Sequence, residues 1–161
     1  MERWIHFDLD GTLADLYSVE GWLDMLESYD PTPYAEAAVM LNMSQLARRL
    51  HQLQELGWKI GIISWLSKVS TAEYDEAVTE AKLGWLHRHL KSVQFDSIQI
   101  VAYGTPKQSL GNGILFDDEE KNRTAWDGEA YEPSQIMEIL SSLRAWLFIK
   151  LMLNKVAGRK T

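Results

Sequence analysis

The sequence predicts an α/β fold, a three-layer Rossmann-like arrangement in which helices cover a parallel sheet, and three observations carry that prediction. Four short apolar runs rich in β-branched and aromatic residues, at 4–7, 59–63, 98–103 and 114–116, are each bounded by turn-forming residues, as buried strands are. Helical patterns lie between them, and strands alternating with helices imply a parallel sheet. The polar residues that follow the runs also belong together. Asp8 and Asp10 follow the first run, Ser64 the second, Lys107 comes shortly after the third, and Asp117 and Asp118 follow the fourth. Open parallel sheets bind ligands beyond the carboxyl ends of their strands, so all of these converge on one edge.

Taken in order, the first run ends in "FDLDGTLAD", where the chain turns on Gly11 directly after two acids. Leu46, Leu50 and Leu53 fall on one face of a helix that Gly57 stops before the second strand. The stretch "VSTAEY" opens another helix, with Ser70 and Glu73 placed as a capping box and Val69 and Tyr74 as a hydrophobic staple. That helix runs through Trp85 to about Leu90. A last helix begins after Pro133, with Ile136, Ile139, Leu140, Leu143 and Leu147 as its apolar stripe. Its end, "RAWLFIKLMLNKVAGRK", is apolar on nearly every side. Continued packing on the sheet is the expectation there, and a homodimer through this helix is the alternative.

Composition narrows the functional classes. At 161 residues the chain is expected to be a single domain, and 46% hydrophobic with 24% charged residues is the balance of a globular protein. A net charge of −7, with no Lys/Arg cluster before the C-terminus, disfavours a long nucleic-acid partner. With no cysteine there is no disulfide, thiolate metal site or thiol nucleophile. No uninterrupted apolar run reaches the roughly 18 residues of a membrane span, and acids appear before any signal region develops, so a cytoplasmic location is expected.

The chemistry follows from the residue types. Residues two apart on an extended strand share a side, so Asp8 and Asp10 face one small volume. Their mutual repulsion is relieved by a divalent cation, and Mg²⁺ favours a few carboxylate or carbonyl oxygens with retained waters and a substrate phosphate. Gly11 lets the backbone turn tightly away, and Thr12 is placed to hydrogen-bond the loop or the phosphate. Asp117 or Asp118 supplies a third carboxylate, Lys107 offsets the gathered negative charge, and Ser64 donates to a phosphoryl oxygen. With these parts one aspartate attacks phosphorus and the other handles the proton, through an aspartyl-phosphate that water hydrolyses.

At these residues the chain resembles the haloacid dehalogenase (HAD) superfamily of phosphohydrolases. "FDLDGTLAD", "IISW", "GTPKQ" and "ILFDDEEKN" match that superfamily's four motifs in order. The resemblance implies Asp8 as nucleophile, Asp10 as general acid/base with its backbone carbonyl on Mg²⁺, Ser64 and Lys107 as phosphate ligands, and Asp118 as the metal-binding acid. It also implies a strand order of 5-4-1-2-3, with the fifth strand weak or missing in "DGEAYEP". The segments "EAKLGWLHRHL", "IQIVAYGTPK" and "DDEEKNRTAW" are similar to the 5′(3′)-deoxyribonucleotidase branch, which implies that residues 14–43 form a small helical cap over a nucleoside monophosphate. The fourth motif departs from many relatives in carrying Asn122 in place of a further acid. Phosphatases of other small metabolites or of polynucleotide ends are the alternatives, and a module that binds phosphate ligands or a protein without turnover is the alternative of another class.

Single residues divide between packing and binding. Trp65 follows Ser64 and can stack on a base or sugar, although packing is the commoner role of a tryptophan in a chain with seven of them. Tyr17, Trp22, Tyr29 and Tyr34 lie in the insert, where gripping a nucleoside and packing explain them equally well. His6 reads as a satisfied core histidine, and His87 and His89 as surface residues.

Overall fold

The computed structural model describes residues 2–157, which are built around a five-stranded parallel sheet. The elements run β1 (Arg3–Phe7), β2 (Ala14–Asp15), α1 (Trp22–Glu27), α2 (Thr32–Glu36), β3 (Ala38–Val39), α3 (Met43–Glu55), β4 (Trp58–Trp65), α4 (Ala72–Leu90), β5 (Ser97–Val101), β6 (Ile114–Phe116), α5 (Glu120–Ala125), β7 (Glu129–Tyr131) and α6 (Ile136–Ala157). The sheet order is β5-β4-β1-β6-β7, which is the expected order of successive sheet strands, 5-4-1-2-3, read from the other edge. The fifth strand, expected to be weak or missing, is present and weak: β7 pairs with β6 from Ile114↔Glu129 to Phe116↔Tyr131. It is a three-residue edge strand whose side chains are exposed or half-buried, so it carries no apolar run to announce it.

Register decides which side chains meet. β1 pairs with β4 so that Phe7 lies beside Ile62, and with β6 so that Phe7 lies beside Phe116. Paired residues share a face, so Ile5, Phe7, Ile60, Ile62 and Phe116 form one apolar surface. That surface receives the leucines of α3, Trp85 and Leu86 of α4, and Ile136 and Leu140 of α6. Leu46, Leu50 and Leu53 are at most 1% exposed. Their burial contributes about 6 kcal/mol of apolar transfer, so packing fixes α3 more than helix propensity does. The opposite face has a thinner cover, made by Trp126 and the loops around α5 packing over Ile63 and Leu115.

Several local expectations are refined. Gly57 stops α3 with φ +85, as its position implied. The N-cap of α4 is Thr71, whose side chain accepts from the Tyr74 amide, while the Ser70 hydroxyl donates to Asp75. The predicted Ser70/Glu73 capping box therefore does not form. His6 is in the core, stacked 5.2 Å from Trp4, but its Nδ1 has no hydrogen-bond partner, and burial lowers its pKa to about 4. His89 packs 4.5 Å from Trp85 and is half-buried, so only His87 is a surface residue. Packing of α6 on the sheet reaches Leu143. Beyond it Trp146, Phe148, Ile149, Met152 and Leu153 are 49–64% exposed. The Leu147 side chain and the basic end of the tail at 158–161 lie outside the described residues. Among those residues no helix is long and apolar enough to cross a membrane.

Residues 14–43 leave the sheet between β1 and α3. Their ends pair as the antiparallel ribbon β2–β3, and α1 and α2 lie between. Leu16, Leu26 and Tyr34 of this insert bury against Tyr74 and Val78 of α4. The Trp85 indole donates to the Ala37 carbonyl (2.7 Å), the Tyr74 hydroxyl to Asp30 O (3.2 Å), and Arg88 to Ala35 O. The insert is thus seated on one helix at the rim of the strand ends.

Candidate active site

The turn after β1 is held by its own backbone. Leu9 O accepts from the amides of Thr12, Leu13 and Ala14, and Gly11 N donates to Ala14 O. Gly11 sits at φ +76, and a Cβ there would fall 2.7 Å from Asp118 Cγ and 2.8 Å from Tyr17 Cε2. Only glycine allows both the turn and the close approach of Asp118. The geometry brings Asp8 and Asp10 to the floor of a cavity of about 260 Å³.

Lys107 reaches the same floor from the loop after β5. It is 2% exposed, and its ammonium lies 2.9 Å from Asp8 Oδ1 and 2.6 Å from Asp117 Oδ2. Burial works against its charge, but the two carboxylates outweigh that and hold its pKa above the usual lysine value. Asp117 is fully buried and already supplied with donors. Besides Lys107 it accepts from the Glu119 amide (2.9 Å) and from Asn122 Nδ2 (3.2 Å). Asn122 therefore braces Asp117. Arg123 fixes the adjoining backbone by donating to the carbonyls of Asp117 and Asp118, at 2.8 and 2.7 Å.

The Asp118 carboxylate forms no salt bridge among the described residues. Burial, then the charges of Asp8 and Asp117, push its pKa up to about 7. Carboxylate oxygens of Asp8, Asp117 and Asp118 all lie within 4.8 Å of one another. Three carboxylates and one ammonium leave two negative charges, and every available donor is a hard oxygen, so the cluster fits one divalent cation of the Mg²⁺ kind. Asp8 and Asp118 are the acids with coordination to spare.

Two predicted residues are placed elsewhere. Ile62 pairs with Phe7, so Ser64 points to the opposite face from Asp8, and it is fully buried. Its hydroxyl accepts from Lys82 (2.8 Å) and does not line the cavity. Thr12 is also fully buried and away from the cavity, and its hydroxyl has no partner. Trp65, next along β4, does line it. Its indole donates to Thr105 O (2.8 Å), its ring lies 5.2 Å from Tyr103, and the ammonium groups of Lys107 and Lys121 stand 5.2 and 4.9 Å from it.

The sequence reading missed Lys82 of α4. It is fully buried, and its ammonium donates to Asp10 Oδ2 (2.5 Å), Ser64 Oγ (2.8 Å) and Trp65 O (2.6 Å). Burial raises the Asp10 pKa, and Lys82 opposes the rise without cancelling it. A signal for Lys82 did exist, since Val78, Lys82, Trp85 and Leu86 are spaced as one buried helix face. Over the floor stand Tyr17, Trp22, Leu23, Leu26 and Tyr34 of the insert. Burial and the neighbouring carboxylates push the Tyr17 phenol far above its usual range, so it remains a neutral donor.

No protein-family model matches the sequence, and no curated protein matches it. Among solved structures the chain is similar to the crystal structure of D,D-heptose 1,7-bisphosphate phosphatase from Burkholderia thailandensis. The two share 14% identity over 77% of this chain and 71% of that one, with a TM-score of 0.48. A likeness of that degree assigns no function, so the functional reading rests on the site itself.

Proposed function

We propose that this chain is a Mg²⁺-dependent phosphomonoesterase of the HAD type, with nucleoside monophosphates as its preferred substrates. The observation that carries the reading is the meeting of Asp8, Asp118, Asp117 and Lys107 beneath a cavity open to Asp10. Lys107 bonds one oxygen of Asp8 and leaves the other to attack phosphorus. As that bond forms, the bond from phosphorus to the leaving-group oxygen breaks, and Asp10 gives its proton to the departing alcohol. Asp10 then takes a proton from the water that hydrolyses the aspartyl-phosphate, which releases orthophosphate and restores Asp8. Asp8, Asp118 and the Asp10 carbonyl would hold Mg²⁺, which when bound withdraws charge from the phosphoryl oxygens. Lys107 supports the same charge from the protein side.

The substrate class follows from the walls. A volume of about 260 Å³ suits one small monoester, and Tyr17, Trp22, Trp65 and Tyr103 offer aromatic faces to a base or sugar. In this reading the insert at 14–43 acts as the cap, the protein works in the cytoplasm, and the exposed apolar end of α6 is covered by a second copy.

The test is a panel of 5′- and 3′-nucleoside monophosphates, sugar phosphates and p-nitrophenyl phosphate, run with Mg²⁺, with EDTA and with Asp8→Asn. Turnover is expected with Mg²⁺ alone and is expected to vanish in the other two conditions. Persistence in Asp8→Asn removes Asp8 from the nucleophile role. Equal rates on nucleotides and sugar phosphates retire the nucleotide preference, and an inert native protein turns the reading toward a binding module.

A further inference from the structure

The phosphatase reading uses Lys107 but has no use for Lys82, although Lys82 is the more completely buried of the two. Its side chain is sealed from solvent in the middle of α4, between Val78 and Leu86 on a face that is otherwise apolar. An unpaired ammonium there would cost several kcal/mol, and methionine would fill the same space without that cost. The structure shows what the charge does. All three ammonium donors are used, on Asp10 Oδ2, Ser64 Oγ and Trp65 O, and the Tyr34 ring closes the remaining side at 4.9 Å.

The placement divides the site's cations. Lys107 pairs with Asp8 and Asp117, and Lys82 pairs with Asp10. Asp10 sits on a turn beyond the end of β1, where its backbone is bridged to Ala14 and its side chain is held by the Lys82 ammonium. With one oxygen tied to Lys82, the carboxyl is kept apart from the Asp8, Asp117 and Asp118 cluster while Asp10 still lines the cavity. Ser64 and Trp65 O, both at the end of β4, anchor the ammonium to the sheet.

We propose that Lys82 is the positioning residue for Asp10, holding its carboxyl where it hands the proton to the leaving-group oxygen as the bond from phosphorus to that oxygen breaks. The proposal rests on the phosphatase reading. Lys82 does not line the cavity, so it acts through Asp10 and not on substrate. Ser64, taken from the sequence as a phosphate ligand, becomes part of the mounting for Lys82. The consequence is specific to the leaving group. An alcohol leaves poorly without a proton, whereas p-nitrophenolate leaves well without one, so losing the position of Asp10 penalises the two substrates unequally.

The experiment measures kcat/KM, which reports the chemistry up to release of the alcohol, for a nucleoside monophosphate and for p-nitrophenyl phosphate. The proteins are the native chain, Lys82→Met, Lys82→Gln, Asp10→Asn and the double variant Lys82→Met/Asp10→Asn. Thermal melts establish that each is folded. Lys82→Met is expected to lose about 100-fold on the nucleotide and less than a tenth of that loss on p-nitrophenyl phosphate. Lys82→Gln keeps a donor and is expected to show the same bias at smaller size, which supplies the answer if the methionine variant does not fold. The double variant is expected to be no worse than Asp10→Asn alone. Equal losses on both substrates, or losses that add to that of Asp10→Asn, overturn the role of Lys82 and leave the phosphatase reading standing. A native protein that hydrolyses neither substrate overturns both.

Discussion

Replacing Asp118 by asparagine tests the charge cluster without touching the fold around it. Two carboxylate oxygens within 4.8 Å of one another repel by about 3 kcal/mol or more at an effective dielectric of about 20. Asp118 feels burial and two such neighbours, and its pKa rises from an ordinary 3.8 to about 7. That displacement is worth about 4 kcal/mol. Asp118 is only partly buried, and allowing for solvent screening halves the figure to about 2 kcal/mol. The sign follows from linkage. Between pH 3.8 and about 7 the folded chain holds the Asp118 proton and the unfolded chain does not, so stability falls as pH rises through that window. Asparagine never ionises. In EDTA at about pH 8 the Asp118→Asn variant should therefore melt above the native protein by roughly 4–8 °C, with the gap closing toward pH 4. Mg²⁺ should reverse the order, because a cation at a hundredfold excess over its Kd stabilises the native site by about 2.7 kcal/mol. Thermal melts across pH 4–8, with EDTA and with MgCl₂, read both effects. A variant that melts below the native protein in EDTA at pH 8, or Mg²⁺ shifts of equal size in both proteins, refutes the reasoning.

Two further substitutions probe the same site. Lys107→Met leaves Asp117 and Asp8 buried without their shared cation. It should cost about 3–5 kcal/mol in urea unfolding, and adding Asp117→Asn should recover a large part; a loss under about 1 kcal/mol would mean that the pair is solvated in solution. Gly11→Ala forces a side chain into a φ of +76 and against Asp118. It should lower stability by about 1–3 kcal/mol and weaken the Mg²⁺-dependent rise in melting temperature, and an unchanged rise would show that the turn can relax without moving Asp118.

The parts of the fold legible in the sequence were those that solvent exclusion writes into apolar patterns. β1, β4 and β6 are buried on both faces and read as unbroken runs, and α3 declared itself through Leu46, Leu50 and Leu53. β7 escaped because an edge strand of three residues needs no such run. The capping of α4 was misread by one residue, since Ser70 and Thr71 are both capable N-caps and only the backbone at Thr71, φ −136 and ψ 158, decides between them. The acids and Lys107 were legible because strand ends deliver them. The orientation of Ser64 was not, because it depends on the pairing of Phe7 with Ile62, and register between strands so far apart in sequence is set by tertiary packing.

Lys82 was hidden for a related reason, and the same reason gives α4 its place in the molecule. A lysine in a helix reads as solvated unless the partner that neutralises it is known, and this partner, Asp10, lies 72 residues away. Yet the face that buries Lys82 also carries Tyr74, Val78 and Trp85, the residues on which the insert is seated. Tyr34 of the insert packs against Val78's cluster, lines the cavity, and covers the Lys82 ammonium. A shift of the insert across α4 therefore alters the environment of Lys82 and, through it, the one carboxyl oxygen that Lys82 holds. Because these contacts are packed side chains with few alternative arrangements, the cavity wall that the insert supplies and the Asp10 carboxyl at the cavity floor are mechanically joined through a single helix.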